Sequence, residues 1–153
     1  FDRVEFLIST NPGLSTPRPL GEVASGGELS RIMLAIKTVL ADTDDIPTLI
    51  FDEIDTGISG RTAQKVSERL SYIAKKHQVL CITHLPQIAA MADTHFEIRK
   101  SVENGRTVTK IHRLNESEQI DELARLLGGA EITEAVRENA REMKRLAKNN
   151  RLK

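Results

Sequence analysis

The chain has 153 residues, enough for one hydrophobic core, and its 22 basic residues are balanced by 22 acidic ones. This balance gives no general case for a nucleic-acid or membrane-surface binder, so any DNA contact must be local. An apolar run long enough to span a bilayer is absent, as is an N-terminal secretory signal, so we expect a soluble cytoplasmic protein. The one cysteine, Cys81, lies in an apolar run and is predicted to be a buried, unreactive thiol.

The predicted elements begin with a short strand at Val4 to Ser9, followed by an irregular loop rich in proline and glycine. From Glu28 onward, apolar residues recur at helical spacing, so Gly26-Gly27 stands at the entry to an amphipathic helix. Thr48 to Phe51 is a continuous apolar run, typical of a strand buried on both faces in a parallel sheet.

Ser59 is the predicted N-cap of a second helix, and Val79 to Thr83 repeats the buried-strand pattern. A short helix is expected from Pro86 to about Ala92. Strand and helix in alternation predict a parallel α/β sheet, whose ligands bind beyond the carboxyl ends of the strands. The polar residues expected at that edge are Asp52, Glu53 and His84.

The C-terminal part of the chain changes pattern beyond Asp93, where apolar and polar residues alternate around Asn104-Gly105. This dipeptide predicts a β-hairpin with a type I′ turn. A helix is expected from Glu118 to Leu127, and a last one from about Ile132. The basic tail from Arg141 is interpreted as a solvated helix end, because cations stabilise the C-terminus of a helix.

The segment Ala24-Ser25-Gly26-Gly27-Glu28-Leu29-Ser30-Arg31 is a candidate phosphate-binding site. Glycines let a backbone approach a phosphate closely, and the amides at a helix N-terminus attract anions. The Ser25 hydroxyl adds a donor. The alternative for this segment taken alone is an ordinary loop and helix cap.

The residues at the strand ends are candidates for metal binding and hydrolysis at the same nucleotide phosphates. Asp52 can hold hydrated Mg²⁺ on nucleotide phosphates, and Glu53 can orient or deprotonate an attacking water. His84 can contact a terminal phosphate. Taken singly, the acids are also explained as a turn cap and the histidine as a loop residue. A glycine-rich loop of the form G-x-x-x-x-G-K-[ST] does not occur in the 153 residues.

The order of these motifs carries a family resemblance. Ser25-Gly26-Gly27-Glu28, then Asp52-Glu53, then His84 is similar to the signature, Walker B and switch-histidine series of ABC-type ATPases. Glu28, where many transporters have Gln, and the run Phe51 to Gly60 resemble most the RecN family, which belongs with the structural-maintenance-of-chromosomes (SMC) group. The resemblance covers essentially the whole chain.

This resemblance implies an α/β fold in which residues 1–153 form a single domain, the C-terminal lobe of a split ABC-type ATPase head. A parallel sheet would be flanked by helices and followed by the hairpin and C-terminal helices. The Walker A loop and a long coiled coil would be encoded upstream, as the first residue, Phe1 rather than Met, also suggests. The implied cofactors are ATP and Mg²⁺.

The resemblance also implies roles for individual residues. Two ATP molecules would be sandwiched between two heads, and the signature segment of one head would contact the nucleotide of the other. The implied nucleotide-binding residues are Ser25, Gly26, Gly27 and Glu28, with Asp55 and Ser59 in a D-loop that crosses the dimer. Asp52 would hold Mg²⁺, Glu53 would be the catalytic base and His84 would sense the γ-phosphate. Ser59 stands where many relatives have Asp.

The implied partners are the chain's own N-terminal lobe, a second head in a homodimer, and DNA through the full-length protein in double-strand break repair near the nucleoid. Three alternatives remain open at the sequence level. One is a transporter nucleotide-binding domain, and another is an aspartic protease built on Asp55-Thr56-Gly57. The third is a dimerisation lobe without catalysis of its own.

Overall fold

The computed structural model describes residues 4–9, 16–23, 25–43, 45–103, 105–129 and 131–151. Within these ranges the helices are α1 Leu20–Val23, α2 Gly26–Leu40, α3 Gly60–Ile73, α4 Pro86–Ala90, α5 Glu116–Gly128 and α6 Glu134–Arg151. The strands are β1 Leu7–Ile8, β2 Arg18–Pro19, β3 Thr48–Phe51, β4 Gln78–Cys81, β5 Phe96–Glu103 and β6 Arg106–Arg113.

Strands β3 and β4 form the predicted parallel pair, with α3 as the crossover between them. Thr48 lies opposite Gln78 and Phe51 opposite Cys81. Both strands therefore end at the same edge, and the chain leaves each of them toward the residues predicted to be functional. The predicted strand-helix-strand order is confirmed.

One side of this parallel pair faces the first hydrophobic core. Leu49 and Phe51 of β3 pack there, with Ala41 after α2 and Ile54 after β3. Helices α2, α3 and α4 contribute the other buried members, which are Leu34, Val66, Leu70, Ile73 and Ile88. The other side is open. Ile50 is 70% exposed, and Leu80 and Ile82 are also exposed.

The prediction that Thr48 to Phe51 is buried on both faces is therefore wrong for this chain. The helices that surround the pair in the described residues all bury the same side of it. An apolar run predicts that both faces avoid water, but it does not predict which segment covers the second face.

The second core lies between α4, α5 and α6. Its buried members are small or aliphatic: Ala89, Ala90, Met91, Leu123, Ala124, Ala140 and Ala147. The small residues Ala140 and Ala147 on α6 are buried and let this helix pack closely on α5.

The predicted hairpin is present as β5 and β6. Phe96 lies opposite Arg113 and Glu103 opposite Arg106. Gly105 has φ of +74°, as the turn requires. Its partner Asn104 lies outside the described residues, as do Asn11-Pro12-Gly13 in the predicted N-terminal loop and Ala24 before the candidate phosphate segment.

Several predicted boundaries shift. The N-terminal strand is only Leu7–Ile8, and it pairs with β2, which the sequence places in a loop. Strand β4 ends at Cys81 rather than Thr83, because the next residues turn to bond with Asp55. Helix α4 ends at Ala90, two residues before the predicted end at Ala92. Helix α5 starts at Glu116, where Asn115 and Glu118 form a capping box.

Three basic residues of the C-terminal tail contact the protein itself. Arg141 pairs with Glu134 and Glu138, and Arg145 pairs with Glu142. The Nζ atom of Lys144 donates to the carbonyl oxygens of Ala90 and Ala92. These contacts favour the interpretation of the tail as an ordinary helix end. Across the described ranges, none of the helices has the length and apolar character needed to cross a bilayer.

Candidate functional site

The N-terminus of α2 begins with a complete capping box. The Ser25 Oγ accepts from the Glu28 amide at 3.4 Å, and a Glu28 carboxylate oxygen accepts from the Ser25 amide at 2.8 Å. The hydrogen bond from the Ser25 amide lowers the pKa of Glu28. Gly26 is exposed and Gly27 is buried. The structure thus contains the helix cap of the loop-and-cap alternative, and the Glu28 carboxylate takes part in this cap.

The two acids that follow β3 are both exposed. The Oδ1 atom of Asp52 accepts from the Glu53 amide at 2.9 Å. Glu53 has φ of +56°, in the left-handed region that a residue with a Cβ adopts only at a cost of about 1–3 kcal/mol. Such a conformation persists only when neighbouring groups hold it in place.

The diglycine pair lies directly against Glu53. A Cβ added to Gly26 would be 2.6 Å from the Glu53 Oε2 atom. A Cβ added to Gly27 would be 2.9 Å from the Glu53 carbonyl oxygen and 3.0 Å from the Thr56 Cβ. The absence of a side chain at Gly27 therefore has a reason inside the chain, apart from any ligand, whereas at Gly26 only the far end of the flexible Glu53 side chain would have to move. The Glu53 carboxylate lies at the positive end of the helix dipole of α2.

The last two residues of the candidate phosphate segment, Ser30 and Arg31, connect α2 to the loop after β3. The Ser30 hydroxyl donates to the Asp52 carbonyl oxygen at 2.9 Å. The Arg31 Nη1 atom donates to the carbonyl oxygens of Ile54 at 3.1 Å and Thr56 at 2.8 Å. Periodicity does not reveal such a link, since the partners are more than twenty residues apart. In the sequence, the only sign of this link is an arginine one helical turn after the two glycines that begin α2.

Asp55 is buried, with 4% of its surface exposed. Its Oδ2 atom accepts from the Thr83 hydroxyl at 2.7 Å and the His84 amide at 2.9 Å, and it lies 3.1 Å from the His84 Nδ1 atom. Burial raises the pKa of Asp55, but these hydrogen bonds and the histidine outweigh it, so the pKa lies below its usual value. The carboxylate connects the loop after β3 to the loop after β4.

The remaining predicted residues differ in their surroundings. The His84 side chain is 73% exposed although its Nδ1 atom contacts Asp55. Ser59 occupies the predicted N-cap position of α3, but its side chain makes no cap hydrogen bond. Burial raises the pKa of Cys81 to about 12, and the charges of Asp55 and Asp52 add to this effect. Cys81 is only partly buried against the first core, not fully buried as predicted, and its raised pKa is consistent with an unreactive thiol.

The structure therefore brings most of the predicted residues together at one edge. The start of α2 contacts Glu53, Arg31 holds the following loop, and Asp55 joins that loop to His84. Ser59 lies further along, at the start of α3. In the described part of the chain, no group of three or more His, Cys, Asp or Glu side chains is placed to hold a metal ion. A single exposed carboxylate suits Mg²⁺, which keeps several waters and shares phosphate oxygens.

Comparison with known proteins identifies relatives along nearly the whole chain. The DNA repair protein RecN of Halalkalibacterium halodurans is 51% identical over 146 residues, 95% of this chain and 26% of that protein. RecN of Bacillus subtilis is 49% identical over 93% of this chain and 24% of its own length. RecN of Streptomyces coelicolor is 41% identical over 98% of this chain and 26% of its own. The chain thus spans about a quarter of the length of these curated relatives.

A solved structure is also similar. It comes from work on ATP-driven dimerization and DNA-stimulated activation of SMC ATPases, and it superposes with a TM-score of 0.50 at 25% identity. The match covers 79% of each chain. No protein-family model matches the chain. The transporter and aspartic-protease alternatives find no support among these relatives, and Asp55 already has its partners inside the chain.

Proposed function

The chain belongs to the RecN family of bacterial DNA repair proteins, and from this premise we propose that it is the C-terminal lobe of an SMC-like ATPase head acting in DNA double-strand break repair. The activity belongs to the longer protein, of which this chain matches about a quarter. The observation that carries the proposal is that the start of α2 lies against Glu53, while Asp55, two residues further along the same loop, lies against His84.

The residues at this edge fit a nucleotide with Mg²⁺. The first amides of α2 and the Ser25 hydroxyl would bind phosphate oxygens of the nucleotide held by the second head. Asp52 would hold hydrated Mg²⁺, which when bound neutralises charge on the phosphates. Glu53 would accept a proton from the attacking water, and His84 would contact the terminal phosphate through its exposed ring.

The open, apolar face of the parallel pair is evidence that another segment of the longer protein packs against it. On this face Ile50 of β3 lies opposite Leu80 of β4, and both side chains are exposed. Ile82, just after the end of β4, is exposed as well. We propose that the N-terminal lobe of the same protein covers this face and supplies the Walker A loop. The second head of a homodimer would receive the signature segment, and DNA would be bound by the full-length protein near the nucleoid.

ATP turnover tests this proposal. The 153-residue chain alone is expected to hydrolyse ATP negligibly, because the phosphate-cradling lysine is lacking, and addition of the N-terminal lobe is expected to restore turnover. In the restored protein, Glu53→Gln should lower turnover by about 10²-fold or more and spare nucleotide binding, as loss of a general base does. Glu131→Gln, an exposed charge removed elsewhere, is the control.

Each result discriminates between the alternatives. Robust turnover by the chain alone would refute the composite pocket. Unchanged turnover in Glu53→Gln would refute the role of Glu53 as a base. The alternative of a non-catalytic dimerisation lobe predicts a different pair of results. The lobe would promote dimerisation of the full-length protein, and Glu53→Gln would leave turnover intact.

A further inference from the structure

One buried carboxylate oxygen organises the loop that carries His84. The Oδ2 atom of Asp55 has three close neighbours: the Thr83 hydroxyl, the His84 amide and the His84 Nδ1 atom. The first two are donors, and Thr83 Oγ1 in turn accepts from the Leu85 amide at 3.0 Å. The backbone on both sides of His84 is therefore fixed by the same network.

The chemistry of Asp55 determines which atom of the His84 ring carries a hydrogen. An ionised carboxylate has acceptors only. A ring nitrogen 3.1 Å from such an oxygen makes a hydrogen bond only if it bears the proton. The Nδ1 atom of His84 is accordingly the donor, and the Nε2 atom lies on the other side of a side chain that is 73% exposed.

We infer that Asp55 is a positioning residue for His84: it holds the ring in the Nδ1–H tautomer and directs Nε2 away from the lobe, toward the site of the terminal phosphate. The phosphate part rests on the proposed function, whereas the tautomer is a property of this chain alone. The same carboxylate stabilises the ring when both nitrogens are protonated and Nε2 donates to an anionic oxygen. Asp55 thus acts through His84 and not by reaching the nucleotide itself.

Nitrogen NMR of the imidazole rings tests the tautomer without nucleotide. The chain has four histidines, and the signals of His84 are assigned by their loss in His84→Gln. We expect wild-type His84 to be Nδ1–H, and Asp55→Asn to shift it toward Nε2–H, because an amide can donate to Nδ1. Thr83→Val is the matched control. It removes a hydrogen bond to the same oxygen and another to the Leu85 amide, but it leaves the Asp55–His84 contact in place.

The outcomes separate a positioning role from a structural one. An Nε2–H ring in the wild-type chain overturns the inference, and this measurement needs no variant that folds less well. A shift in Thr83→Val as large as that in Asp55→Asn overturns it too, since general disturbance of the loop would then explain both.

Turnover of the complete protein provides a second, independent readout. Asp55→Asn is expected to lower turnover by about 10- to 100-fold, the size typical when the hydrogen-bond partner of a metal-bound histidine is removed. Because Asp55 acts through His84, the double variant with His84→Ala should be no slower than His84→Ala alone. Additive losses would overturn the inference. A wild-type protein without ATPase activity would refute the proposed function and leave the NMR result standing.

Discussion

The adjacent glycines at the start of α2 should respond differently to the same substitution. In Gly27→Ala the new Cβ would lie 2.9 Å from the Glu53 carbonyl oxygen, 3.0 Å from the Thr56 Cβ and 3.1 Å from the Arg31 Nη1 atom. The first neighbour is backbone of a residue already held at φ of +56°, so it has little freedom to retreat. In Gly26→Ala the new Cβ would meet only the far end of the Glu53 side chain.

The magnitudes follow from two opposing effects. Alanine is favoured over glycine in a helix by at most about 1 kcal/mol, and this gain applies to both positions. Overpacking costs typically about 1–3 kcal/mol, and it applies at Gly27 because its neighbours do not move away. We therefore expect Gly26→Ala to be neutral or slightly stabilising, and Gly27→Ala to be less stable than Gly26→Ala by about 1–3 kcal/mol.

Urea unfolding of the two variants and the wild-type chain measures this difference. Each 1 kcal/mol corresponds to a shift in Tm of about 2–4 °C for a chain of this size, so thermal unfolding gives a second measurement. Equal destabilisation by both substitutions would refute the packing argument. If neither substitution destabilises the chain, the glycine pair is explained by the close approach of a ligand instead. In either outcome, nucleotide binding by the complete protein is a separate measurement.

Three further expectations concern single groups. The thiol of Cys81, whose pKa burial raises to about 12, should react with a maleimide only after denaturation, and rapid labelling of the folded chain in a mass spectrum would contradict this. The pKa of Asp55 is depressed by its hydrogen bonds despite burial, so the stability it contributes is present above its unfolded pKa of about 3.9 and is lost as pH falls through the folded value. Urea unfolding across acidic pH should show a smaller loss of stability in Asp55→Asn than in wild type. Asn115→Ala, which removes the hydrogen bond to the Glu118 amide, should cost about 1 kcal/mol, whereas Glu116→Gln in the same exposed turn should change stability by less than about 0.5 kcal/mol.

Local patterns predicted the elements that position the site. Helical spacing from Glu28 located α2, the apolar runs located β3 and β4, and Asn104-Gly105 located the hairpin. These features depend on neighbours a few residues apart, which the chain order displays directly. The order of motifs was sufficient to identify the family.

Other features depend on contacts between distant segments. An acid in a glycine-containing loop is normally expected in water, yet Asp55 is buried because Thr83 and His84 supply donors from a loop nearly thirty residues away. The exposure of Ile50 was not predictable for a related reason. Apolar sequence shows that a face avoids water, but the segment that covers it need not be among the residues at hand.

The link between α2 and the loop after β3 is made to backbone oxygens, and this gives it an unusual tolerance to mutation. Ser30 and Arg31 donate to the carbonyl groups of Asp52, Ile54 and Thr56, which every amino acid possesses. Side chains in the loop can therefore be exchanged while the attachment persists, provided that the backbone keeps its path. Changes on the helix side alone would sever it, so a saturation library should show sensitivity at Arg31 and permissiveness at Thr56.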